Sequence, residues 1–135
     1  MSARASQDHD YIGRGRVQVA RSGTSVRVRV DALTTQARRL KPLVSDFLRA
    51  DYRRLRPSYA DFLCHIQIEH VGRLTGHDVD NVAKALLDAL TRHVWHDDAQ
   101  VRRLIVEKVE GERARIHILA RPLEENERPT LLQGT

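Results

Sequence analysis

The chain's 135 residues, 30% charged and 41% apolar, suit one small domain with a modest core and are too few for two. No apolar run approaches the roughly 20 residues that span a bilayer, and Met1–Asp10 lacks the hydrophobic stretch of a secretory leader, so a cytoplasmic protein with no membrane partner is expected. A single cysteine, Cys64, excludes an internal disulfide.

The net charge of +5 is unevenly spread. Residues 1–60 hold 13 basic and 5 acidic side chains, whereas residues 61–135 hold 10 basic and 13 acidic. A basic half attracts a polyanion and an acidic half can hold a cation, though both also serve as plain solvated surface.

Residues 1–15 are polar, with Gly13 and Gly15, and read as a flexible tail. Arg16–Ala20 and Ser25–Val30 read as strands joined by a turn at Ser22-Gly23. In the second, Val26, Val28 and Val30 face one way and Ser25, Arg27 and Arg29 the other, the period of a half-buried strand. From Leu33 the spacing becomes helical through Leu40, Val44, Phe47, Leu48 and Leu55, with Pro42 marking a kink or the true start. Arginines from Arg38 to Arg56 lie mostly off that stripe, as a solvated face or as phosphate contacts.

After Pro57-Ser58, the run Tyr59–His70 alternates with apolar residues on both faces and reads as a central strand. Cys64 falls in it as a packing residue. Asp80 opens a second helix to about His93, striped by Val82, Ala85, Leu86, Ala89 and Leu90. Val101–Val109 and Arg113–Ala120 read as a hairpin around Glu110-Gly111-Glu112, and residues 122–135 as a loose tail. The prediction is an α+β fold: a small mixed sheet, in the order β-β-α-β-α-β-β, packed against two helices over residues 16–121.

The chemistry concentrates in Asp78-Val79-Asp80-Asn81. In extended chain, residues two apart point the same way, so Asp78 and Asp80 can share one ion. Asp80 equally suits a helix N-cap. Asp97 and Asp98 follow the helix and join the first pair only if the fold returns them. Carboxylate oxygens favour Mg²⁺ or Mn²⁺. Lys84 and Asp88 continue Asp80's helix face at four-residue steps, as surface ion pairs or as site residues. His77, His93 and His96 flank the acids and offer a zinc alternative, without a CxxC or HExxH partner. Trp95 is expected to pack over the helix end. No Ser/His/Asp or Cys/His nucleophile arrangement stands out, which favours metal-assisted hydrolysis among enzyme readings.

The run from His77-Asp-Val-Asp-Asn-Val-Ala-Lys-Ala-Leu-Leu-Asp through Trp95-His-Asp-Asp-Ala-Gln-Val101 resembles the D-x-D-N-x-x-K-x-x-x-D-x-L … D-D-x-x-V signature of the RusA-type Holliday-junction resolvases. That resemblance implies a small homodimeric endonuclease that needs Mg²⁺ or Mn²⁺ and nicks four-way DNA junctions symmetrically. It implies Asp78, Asp80 and Asp98 as essential, metal-binding carboxylates, Lys84 as the essential lysine and Asp97 as a supporting acid. Arg73 and His77, just before the first aspartate, are the expected DNA contacts there. Two alternatives stand beside it: a non-catalytic nucleic-acid-binding module whose acids are caps and ion pairs, and a related metal-dependent nuclease acting on flaps or other branched substrates.

Overall fold

The computed structural model describes residues 11–14, 16–31, 37–51, 55–72 and 79–133. Its strands are β1 (Ile12–Arg14), β2 (Val17–Ser22), β3 (Ser25–Val30), β4 (Phe62–His70), β5 (Val101–Glu110) and β6 (Arg115–Pro122). They form one sheet in the order β1-β2-β3-β6-β4-β5. Every pairing is antiparallel except β4 with β5. Helices α1 (Ala37–Asp51) and α2 (Val79–Leu90) complete the α+β architecture expected from the sequence.

Register explains which face the helices cover. Val19, Val28, Ile118, Ile66 and Val106 form one row across five strands, the first four of them buried. Leu40, Val44 and Leu48 of α1 and Val82, Leu86 and Ala89 of α2 belong to the same core. Each fully buried leucine contributes roughly 1.5–3 kcal/mol over an exposed one. The next row is polar: Gln18, Arg29, His117, Gln67 and Glu107. Its members bond across strands. Arg29 Nε donates to Gln18 Oε1 at 2.8 Å, and Gln67 Nε2 donates to Glu107 Oε2 at 2.8 Å.

The expected hairpin between β5 and β6 does not form, because β4 lies between them. β4 has the more apolar surface of the three, with Phe62, Leu63, Cys64, Ile66 and Ile68 all buried, so it takes the central place and a partner on each edge. The β5–β6 connection must therefore step across the end of β4. Glu69 holds it there: its Oε2 accepts from Glu112 N at 2.8 Å and from Arg113 N at 3.1 Å. Gly111 fits because a Cβ at that position would collide with the Glu69 carboxylate. Burial pushes the Glu69 carboxyl up, but hydrogen bonds from His117, Arg113 and Glu112 outweigh it and hold the group below its ordinary value.

Other boundaries also shift. Ile12–Arg14, inside the segment read as a tail, adds β1 to the edge of β2. α1 is continuous from Ala37 through Pro42. α2 starts one residue before Asp80 and stops at Leu90, short of His93. There Arg92 adopts φ 75° and its N–H turns back to Trp95 O at 2.6 Å. The region read as a loose C-terminal tail is tied down through Arg128. Arg121 makes a two-pronged bond to Glu127, at 2.6 and 2.5 Å, and Arg128 Nη1 reaches Asp61 at 2.9 Å. Among the described residues no helix is long and apolar enough to cross a membrane.

Candidate active site

Parallel pairing of β4 with β5 requires a crossover, and α2 supplies it. The buried stripe of α2 fixes its rotation, leaving Asp80 and Lys84 exposed and Asp88 half-buried. These three residues recur every four positions, so they form a single strip along the helix. Asp80 sits within the first turn of α2 instead of preceding it as the N-cap considered from sequence.

The chain re-enters this region through a 3-10 turn, Asp98–Gln100, directly before β5. Asp80, Lys84, Asp88 and Asp98 line one cleft of about 310 Å³. Its apolar wall comes from Val79, Ala83 and Leu87 of α2 with Leu104 and Val106 of β5. The return of Asp98 to the helix strip, conditional in the sequence, is thus present in the fold. Asp78, Arg73 and His77 lie outside the described residues.

Asp97 has a different task. It caps the 3-10 turn, its Oδ1 accepting from Ala99 N at 2.8 Å. Gln100, a residue the sequence reading passed over, completes the turn. Its Oε1 accepts from His96 N at 2.8 Å and from Asp97 N at 3.0 Å. Its Nε2 donates to Ser58 O and to Ala60 O, both at 2.8 Å. The Asp97-x-x-Gln100 spacing is a capping box, a signal that was available in the sequence.

The cleft's donors suit a hard divalent cation. Among the described residues its polar groups are carboxylates and one ammonium, and Mg²⁺ is commonly held by one or two carboxylates while keeping several waters. The histidine alternative gains no support. His96 stacks on Tyr59 with ring centroids 3.8 Å apart, and His93 is half-buried. Burial, then the charge of Arg49, hold the His93 imidazole below its ordinary pKa. Among the described residues no three His, Cys, Asp or Glu side chains form a metal-holding group, the cleft's Asp80, Asp88 and Asp98 included. Cys64 is buried within β4, its thiol pushed up to about 12 by burial, as befits a packing residue. Trp95 is fully buried at the end of α2, edge-on to Phe62 at 5.4 Å, with Nε1 donating to Thr91 Oγ1 at 3.1 Å.

The family model of endodeoxyribonuclease RusA matches residues 11–120, from the residue before β1 to within two residues of the end of β6. The chain belongs to the RusA endodeoxyribonuclease family. The match spans the whole βαβ unit that builds the cleft, so this RusA-family nuclease carries Asp80, Lys84 and Asp98 inside the matched region. No curated protein matches the chain. Among solved structures, the OmpA-like domain of FopA1 from Francisella tularensis subsp. tularensis SCHU S4 is similar at a TM-score of 0.31 and 14% identity. That alignment covers 85% of this chain and 83% of the other, and a likeness so slight bears on neither fold nor function.

Proposed function

We propose that this RusA-family nuclease is a divalent-metal-dependent, homodimeric resolvase that cuts four-way DNA junctions by paired, symmetric nicks. The observation that carries the proposal is the shared cleft of Asp80, Lys84 and Asp98. Asp80 and Asp98, with Asp78, would hold Mg²⁺ or Mn²⁺, which when bound supplies Lewis acidity toward a phosphate oxygen and toward water.

The chain's own groups do the rest. Lys84, one turn along α2 from Asp80, offers a positive charge to the phosphate as negative charge builds in the transition state. Asp97 supports the turn that carries Asp98. Arg73 and His77 would contribute contacts to the DNA. Water forms the new bond to phosphorus and gives up a proton as the P–O3′ bond breaks, leaving a 5′-phosphate and a 3′-hydroxyl. A four-way junction has near two-fold symmetry, and an isologous dimer presents two such clefts related by one axis.

Asp80→Asn tests the proposal. The variant is expected to keep its fold and its junction affinity and to lose nicking. Cleavage at the wild-type rate overturns the assignment. Rates on a four-way junction, a flap and a linear duplex identify the substrate. Faster cleavage of the flap replaces the junction with another branched substrate for the same chemistry.

A further inference from the structure

Gln100 holds two distant parts of the chain together with a single amide. Two N–H groups, of His96 and Asp97, lie against one end, and two carbonyls, of Ser58 and Ala60, against the other. The partners fix which end is oxygen and which is nitrogen. A primary amide has two donor hydrogens and two acceptor lone pairs, and all four are used. Glutamate could keep the acceptor half but has no donors, lysine and arginine have no acceptor, and asparagine is one methylene short.

The joined segments matter for the cleft. Ser58–Ala60 leads into β4, the most deeply buried strand, so its position is set by the core. His96-Asp97 leads straight into Asp98. On the far side, Asp97 Oδ1 accepts from Ala99 N and Gln100 N donates to Asp97 O at 3.0 Å. Asp98 itself is exposed, on a three-residue turn that lines the same cleft as Asp80 and Lys84. A turn of three residues, none of them buried, has little packing of its own to fix it, so its position depends on the bonds that anchor its backbone.

We infer that Gln100 is a positioning residue, clamping the Asp97–Asp98 turn to the lead-in of β4 so that Asp98 is presented to a divalent cation already placed for its carboxylate. It rests on the cleft being the metal-dependent site proposed above. Groups that orient metal ligands typically change metal affinity or activity by about 10–100-fold when removed.

The test compares Mn²⁺ binding to the full chain without DNA, followed by electron paramagnetic resonance, with junction nicking across a Mn²⁺ titration. Gln100→Ala is expected to weaken Mn²⁺ binding by about 10–100-fold. Its nicking should recover as Mn²⁺ is raised, whereas that of Asp98→Asn should not. Gln100→Met, which keeps the length of the side chain but neither half of the amide and adds no charge, should weaken Mn²⁺ binding as Gln100→Ala does and stands in if the alanine variant does not fold. Arg128→Ala removes the neighbouring tie to Asp61 and controls for general loosening. It should lower stability and leave Mn²⁺ affinity unchanged. Wild-type Mn²⁺ affinity in both Gln100 variants, with Asp98→Asn impaired, overturns the clamp alone. Wild-type binding and nicking by Asp98→Asn overturn the cleft assignment, and the clamp with it.

Discussion

Adding one methyl group at Gly111 should cost this protein a large share of its stability. A Cβ there would overlap the carboxylate and Cγ of Glu69. That side chain cannot simply swing aside, because it accepts from Glu112 N and Arg113 N and lies 2.7 Å from His117 Nε2. Retreat gives up both backbone bonds. Bonds to charged acceptors are worth about 1.5–3 kcal/mol each when shielded. These backbone groups are exposed, so the lower end applies, and Gly111→Ala should cost about 2–4 kcal/mol. Urea unfolding reads this directly: at a slope of about 1.5 kcal/mol per molar, the midpoint should fall by about 1.3–2.7 M. Glu69→Ala removes the obstacle, so in that background Gly111→Ala should cost under about 0.5 kcal/mol, leaving a coupling of at least about 1.5 kcal/mol. An equal cost in both backgrounds would refute the steric argument.

Three further outcomes follow from the packing and the charges. Trp95→Ala empties the junction of α2 with Phe62 and should lose about 3–5 kcal/mol by chemical denaturation, and a loss below about 1 kcal/mol would contradict its burial. Glu127, held at about 2 by hydrogen bonds from Arg121 and the Glu124 backbone, contributes stability above its ordinary 4.5 that disappears as pH falls toward 2. Glu127→Gln should therefore flatten the acid limb of the stability profile between those values, and an unchanged limb would show the pair to be inert. Cys64 should resist a thiol reagent at pH 8 until the chain unfolds, and prompt labelling of the native protein would contradict its burial.

Much of the architecture was legible because it is written in local periods. Val26, Val28 and Val30 alternate, and Val82, Leu86 and Ala89 recur at helical spacing, so β3 and α2 were read from neighbours alone. Partner choice is not local. Nothing within Val101–Glu110 says that β5 pairs with β4 and not with β6, and a Gly-centred turn invites the wrong answer. The central place of β4 follows from competition for buried surface across the whole sheet. Ile12–Arg14 was passed over because three residues are too few to show a period, and their strand exists only as an addition to β2. In the cleft, Asp80 and Lys84 were legible from their four-residue step, whereas Asp98 depended on a crossover whose hand and length the fold sets. Gln100 was missed because its partners Ser58 and Ala60 lie 42 and 40 residues away.

Among the described residues, every side chain lining the cleft, and the clamp behind it, comes from the stretch between Ser58 and Val106. β1, β2, β3 and α1 contribute core and surface but no member of that lining, and most of the chain's excess positive charge lies on their side of the sequence. The cleft's lining and most of the excess positive charge therefore lie on separate stretches of the sequence. An exposed arginine before residue 58, such as Arg27, can be exchanged without altering a single side chain of that lining.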